Sequence, residues 1–511
     1  MDESTLRPKA HWVWLVFLLF VALIGYCFVR NVVATWDFTT DDAYITLRYS
    51  RNLVDGHGIV WNGGEAPPVE GYSNFSFVIA GAAGISIGLD PVDLLKWLGV
   101  LGLGLGCAAS WYIARRFVGR VAALLPALFI VTYRGTAYWA VSGLETGFYL
   151  GLTLLCVALW LRGIGFATDG GRRAPSVRWL GAAYFVAMLV ALTRPEGGLI
   201  AVVLTLASWQ GSWRETLALM WRPLALFTVP VAAFLIWKLA HFGALMPNSA
   251  KCKALFTGDG NALTRDYWAI AAPWVMLSLA YPWRELGRRH VVFWLYPLAY
   301  AILLVGVDPI IGQWNRHALT PWSFLVIAGT IGLVRVTDLA LGTLRCFGGA
   351  EVRAALVAVG ATAWVAFTVA DPTGSLEKEA AFYARRMAAR AELGDWLESR
   401  LGPDDWVAVG DCGMVPYRIH AKVLDLFCLN SREISMPPVA FDAKRVAQLV
   451  VDRHPKAIVF HSREQNKRIP RHEYGIYGAL ALRPELEAGY RHATTIGAPG
   501  DDFQYWVYLA K

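Results

Sequence analysis

Apolar and polar positions give this 511-residue chain two textures. Up to about residue 370 it is a succession of apolar runs of roughly 15 to 24 residues, the length a helix needs to cross a hydrocarbon core of about 30 Å. The runs lie near 12–34, 94–113, 118–133, 146–161, 179–193, 197–209, 223–240, 268–281, 291–306, 318–334 and 354–370, which predicts eleven spans in a membrane domain over 1–371. The run 75–89, FSFVIAGAAGISIGL, is short and Gly-rich. It is read as a juxtamembrane helix in the interface, which leaves 36–93 as one long outer loop. Beyond Asp371 charges alternate with apolar runs too short to span, which predicts a soluble α/β domain over 372–511. There a polar helix over 376–401 leads to strands at 406–411, 423–427, 457–462 and 503–510, with helices near 441–452 and 473–488. Strands interleaved with helices in this way predict a small, partly parallel sheet.

Composition agrees with lipid as the solvent. With 56% hydrophobic residues, 17% charged residues and a mean hydropathy of +0.42, the chain has more apolar surface than a soluble core can hide. The formal charge of +8 does not require nucleic acid, because the basic residues sort by face. One set of loops collects Arg115, Arg116, Arg120, Arg162, Arg178, Arg214, Arg222 and further arginines, so that face is cytoplasmic. The opposite face receives chiefly Arg48, Arg51, Arg134, Arg194, Lys251, Lys253, Arg265 and Arg316, few enough to make them candidates for function. An odd number of spans then places the C-terminal domain outside a bacterial inner membrane. The first apolar run lacks a small-residue cleavage site, so it reads as a retained span. The seven cysteines show no metal-ligand spacing and no disulfide framework, and packing is their expected role. A bond between Cys412 and Cys428 is conceivable in an oxidising compartment.

The polar clusters of the outer loops hold the candidate chemistry: TTDDAYITLRY (39–49), EGYSNF (70–75), SGLET (142–146), TRPEG (193–197), FGALMPNSAKCK (242–253) and WNRH (314–317). Acids, cations and aromatics converging between spans suit a substrate partly held in lipid. No GxxxxGK[ST] and no GxGxxG after a strand is present, so the energy for a reaction must come with the substrate. Polyprenyl-phosphate sugars meet that condition. Asp41 and Asp42 are the candidate acids, with helix capping after Thr40 as the competing role. Arg194, Lys251, Lys253, Arg316 and His317 are candidates for a donor phosphate; an Arg194–Glu196 pair and interfacial anchoring compete with that reading. Glu70, Tyr72, Asn74, Glu145, Glu196 and Asp411 are candidates for sugar or acceptor binding. Asp411, Asp425 and His461, at corresponding strand ends, are placed to line a crevice, although a purely structural cap over the membrane site competes with acceptor binding there.

The segment DDAYITLRYSRNLVDGHGIVWN, followed by VEGYSNF, SGLET, TRPEG, MPNSAK and WVAVGDCGMVPYRIHAKVLDLFCLN, resembles the actinobacterial membrane arabinofuranosyltransferases and their proteobacterial relatives in the GT-C superfamily. The resemblance runs along nearly the whole chain. It implies an acidic pair in the first outer loop with Asp41 as base and Asp42 in support, juxtamembrane helices, a polyprenyl-phosphate donor and an outer C-terminal domain. The expected reaction is inverting transfer of a sugar, arabinofuranose by resemblance, to a glycan, lipid or pilin-type protein acceptor, without metal or other cofactor. Two other classes compete: a flippase or transporter of a lipid-linked saccharide, for which internal repeats and midplane charges are not seen, and a non-catalytic surface-assembly protein.

Overall fold

The architecture is that of a computed structural model, which describes residues 11–166, 174–253, 262–281, 291–305, 313–343, 360, 363–364, 375–462, 475–498 and 503–511. The membrane part is helical: α1 (His11–Thr35), α2 (Asp41–Val54), α3 (Phe75–Ser86), α4 (Pro91–Ala114), α5 (Leu125–Thr132), α6 (Arg134–Ala140), α7 (Thr146–Gly163), α8 (Val177–Thr193), α9 (Gly198–Ala207), α10 (Trp213–Phe242), α11 (Asn248–Lys253), α12 (Ala262–Ser278), α13 (Val292–Leu304) and α14 (Leu319–Thr343). Among the described residues five helices are long and apolar enough to cross a membrane. Others are shorter: the ten residues of α9 make a rod of about 15 Å, half a hydrocarbon core. The apolar run near 118–133 is broken, with a single 3₁₀ turn at Ala122–Leu124 before α5. The run near 354–370 lies almost wholly outside the described residues. Arg214 and Arg222, read as loop residues, stand inside α10, which extends well before the apolar stretch that predicted it.

Local chemistry sets the helix ends. Asp90 accepts hydrogen bonds from the amides of Val92 and Asp93 and precedes Pro91, a residue that starts a helix at no hydrogen-bond cost. Close approach then fixes where α7 begins. A Cβ on Gly151 would lie 2.1 Å from the carbonyl oxygen of Gly102, so α4 and α7 touch backbone to backbone as only small residues permit. This contact anchors Glu145, the residue just ahead of α7, at a defined depth.

The C-terminal part begins with α15 (Ser375–Glu398) and carries a five-stranded sheet of order β2-β1-β3-β5-β4. The strands are β1 (Trp406–Val409), β2 (Lys422–Asp425), β3 (Ala457–Ser462), β4 (Tyr490–Gly497) and β5 (Gln504–Ala510). β1 runs parallel to β2 and β3, while β5 is antiparallel to β3 and β4. Strand β4, YRHATTIG, was not expected: it is an edge strand with a single buried side chain, so it lacks the apolar alternation that marks a half-buried strand. The helix expected at 473–488 is instead two short helices, Gly475–Ala481 and Pro484–Gly489, because the proline favours an extended residue before it. A five-residue helix, α16 (Met414–Arg418), follows β1 and lies against α2.

Candidate active site

The two acids that open α2 point to different partners. Asp41 faces the C-terminal part: its Oδ2 accepts from the amide of Gly413 at 3.0 Å, its Oδ1 from that of Met414 at 2.9 Å, and Arg390 Nε stands 3.4 Å away. Burial pushes its carboxyl up to about 6, with Arg390 opposing. Among the described residues no hydrogen bond or ion pair reaches the carboxylate of Asp42. Asp42 lies instead within electrostatic reach of Lys253 and Arg316. Thr40 makes no side-chain cap on α2, so capping of this helix does not explain the polar run before it.

Within electrostatic reach of Asp42 is a cluster built from separate stretches of chain. Glu145, almost fully buried, accepts from Arg194 Nη1 at 2.7 Å, from Arg316 Nη2 at 3.4 Å and from Asn74 Nδ2 at 2.9 Å. Burial pushes the Glu145 carboxyl up, but the two guanidinium groups outweigh it and hold it below the usual carboxylate range. Asn74 in turn accepts from Thr46 of α2, so the cluster is tied to the helix that carries the acids. Arg194 also binds Glu196 at 2.5 Å and approaches His317 Nδ1 at 3.3 Å; Tyr300 donates to Glu196 at 2.9 Å. The local pair of Arg194 with Glu196 is therefore present, inside a larger network. Arg316 lies 5.0 Å from the ring of Trp139, and its buried Nε has no acceptor among the described residues. It is presented by a turn in which Trp314 and Asn315 adopt φ of 54° and 57°, a conformation that costs about 1 kcal/mol or more for a residue as bulky as Trp. The turn is held by Trp139 Nε1 on the Gln313 carbonyl at 2.6 Å, by Trp314 Nε1 on Glu379 at 3.0 Å and by Asn315 on Tyr133 at 2.7 Å.

Lys253 completes the cluster. Burial pulls its ammonium down, Asp42 pulls it up, and among the described residues it has no bonded partner. Its neighbour Cys252 is disulfide-bonded to Cys428, which corrects the pairing weighed from the sequence: Cys412 is a free, buried thiol. The two partners are 176 residues apart, beyond the reach of any spacing argument. Among the described residues no hydrogen bond or ion pair draws Lys251, on the same short helix, into the network.

Other candidates are placed elsewhere. Glu70 forms a buried ion pair with Lys238 at 2.9 Å, and Tyr72 packs between Tyr49 and Phe242. Neither enters the cluster. Asp411 accepts from Arg390 at 2.8 Å and from the Tyr505 hydroxyl, with His461 Nδ1 at 3.5 Å. Asp425 does not line a crevice with it: fully buried, it organises a turn by accepting from the amides of Phe427 and Asn430. Arg390, which joins Asp41 to Asp411, escaped the sequence reading, since one arginine in a polar helix carries no signal of its partner. Among the described residues no cluster of three or more His, Cys, Asp or Glu could hold a metal ion.

This helical membrane body has a GT-C fold. The crystal structure of ArnT from Cupriavidus metallidurans bound to undecaprenyl phosphate superposes with a TM-score of 0.55 at 16% identity, covering 98% of each chain. The archaeal oligosaccharyltransferase AglB from Archaeoglobus fulgidus, in complex with an inhibitory peptide and a dolichol-phosphate, gives 0.54 at 13% identity over 88% of this chain and 70% of that one. In sequence the chain is similar to the terminal beta-(1->2)-arabinofuranosyltransferase of Mycobacterium tuberculosis, 32% identical over 262 residues, or 47% of this chain. That match spans 39% of the relative's length. Residues 377–509 match a family described as a domain of unknown function (DUF8728).

Proposed function

We propose that the protein is an inverting glycosyltransferase that moves a sugar from a polyprenyl-phosphate donor to an acceptor hydroxyl on the outer face of the inner membrane. One observation carries the reading: Asp42, a carboxylate unbonded among the described residues, lies within electrostatic reach of the incompletely satisfied cations Lys253 and Arg316 inside a GT-C body. Asp42 takes the proton of the acceptor hydroxyl while that oxygen attacks the anomeric carbon. The bond from that carbon to the phosphate oxygen breaks on the opposite face, and the electron pair leaves with the phosphate. Lys253 and Arg316 balance the charge that develops there, as preorganised cations do in a water-poor site. Glu145, itself held by Arg194 and Asn74, holds Arg316 in place. The division of labour departs from the sequence expectation, in which Asp41 was the base, because both Asp41 oxygens already accept hydrogen bonds.

Arabinofuranose is the proposed sugar, on the likeness to the mycobacterial enzyme, and a glycan the proposed acceptor. In this reading the cations replace a metal. The eleven-span topology, with the C-terminal domain outside, belongs to the same proposal; a disulfide between α11 and that domain favours an oxidising compartment for both. The test is transfer of sugar from a decaprenyl-phosphate arabinofuranose to an arabinan acceptor by protein in nanodiscs. Asp42→Asn should lower turnover by about 10²- to 10⁴-fold, the usual worth of a general base, with donor binding retained. Wild-type protein without transfer from that donor or from other polyprenyl-phosphate sugars would refute the reading. A rate insensitive to EDTA is expected; loss of activity on chelation would point to a metal.

A further inference from the structure

Asp41 does more than fill space between two parts of the chain, because every group that holds it comes from the C-terminal part. Gly413 and Met414 donate their amides to its two oxygens, and Arg390 bridges it to Asp411, which is itself held by Tyr505 and His461. The fit is tight. A Cβ on Gly413 would fall 2.0 Å from the backbone oxygen of Asp41 and 2.4 Å from its carboxyl carbon, so only glycine lets the two backbones meet. At the other end of α16, Arg48 donates to the carbonyls of Pro416, Ile419 and Ala421, and Arg51 to those of Tyr417 and Ile419. One helix of the membrane part thus offers an acid to the N-terminal amides of α16 and two arginines to its C-terminal carbonyls, the arrangement that satisfies orphan backbone groups at both ends.

We propose that the domain of unknown function is a positioning element of the active site: through Arg390 and the Gly413–Met414 amides it fixes Asp41 and thereby holds the adjacent Asp42 beside the cationic cluster. Arg390 is the positioning residue. The inference rests on the transferase reading for its kinetic consequence, but its structural content is measurable without activity.

The experiment uses full-length protein in nanodiscs with Arg390→Gln, Arg390→Lys, Asp411→Asn, Gly413→Ala and the Arg390→Gln/Asp411→Asn double variant. Arg390→Gln and Gly413→Ala should lower kcat by about 10²-fold, the cost of misplacing a catalytic group by about 1 Å. The donor KM and the binding of undecaprenyl phosphate should stay within about twofold of wild type. Arg390→Lys, which keeps the charge and loses the fork, should recover part of kcat. The double variant should lose no more than the worse single one, because both residues act through one link. Hydrogen exchange should rise over 38–46 and 411–418 in Arg390→Gln and Gly413→Ala. Unchanged kcat in both variants would overturn the proposal, and so would unchanged exchange over 38–46 whatever the activity. If wild-type protein transfers no sugar, the transferase reading fails and the exchange data alone decide this one.

Discussion

Two neighbouring aspartates acquire different surroundings because a helix turns about 100° per residue. Asp41 is bonded to the C-terminal domain, while Asp42, unbonded among the described residues, lies within electrostatic reach of the cations, so the doublet that looks redundant in the sequence splits into an anchor and an open carboxylate. Asp41 is held by donors yet pushed up to about 6 from an ordinary 3.8, because burial outweighs them. Its folded-state value therefore lies above its unfolded one, and the stability it contributes is fully present below about pH 4 and lost as pH rises through 6. Asp41→Asn, which resembles the protonated acid, should therefore unfold at an equal or higher temperature than wild type at pH 7, and the gap should close as pH falls through 5. A variant less stable than wild type at pH 7 would show that the ionised form is favoured by its donors. Glu145 behaves in the opposite way, since it neutralises two buried guanidinium groups. Glu145→Gln should cost about 3 kcal/mol or more, because it strands those charges, and a thermal-shift assay reads that loss.

At the scale of elements, the candidate site is assembled from short pieces held at their ends. The turn Gln313–Ala318, with two residues at positive φ, aims Arg316; the close contact of α4 with α7 sets Glu145; the disulfide sets Lys253. Cys252→Ser and Cys428→Ser should each raise the donor KM several-fold with little change in kcat, because a freed α11 lets Lys253 leave the phosphate position. A reductant should reproduce that effect in wild type and do nothing further to either variant. Lys253→Gln should raise the donor KM at least as much, whereas Lys251→Gln should not. The sequence located most of these pieces. TRPEG, SGLET and WNRH lay in separate loops, and three of their charges meet at Glu145. It misassigned EGYSNF in part, because nothing in that string shows that Glu70 would meet Lys238 while Asn74, four residues on, would turn to Glu145.

Over the whole molecule, the membrane part and the C-terminal domain share one centre, and this constrains topology. Reporter fusions of the phosphatase type after Lys511 or within 255–262 should be active and one within 165–175 inactive; activity of the last would invert the arrangement. The class of protein and its long apolar helices followed from the sequence alone, because lipid imposes span length residue by residue. So did four of the five strands, whose apolar runs mark burial. The exposed edge strand β4, the partner of Cys428, the role of Arg390 and the separate directions of Asp41 and Asp42 were decided only by tertiary structure. Burial and periodicity are local properties that the order of residues records directly. An ion pair such as Arg390 with Asp41 joins positions 349 residues apart (390 − 41), and only the packing of the finished fold determines which charges meet.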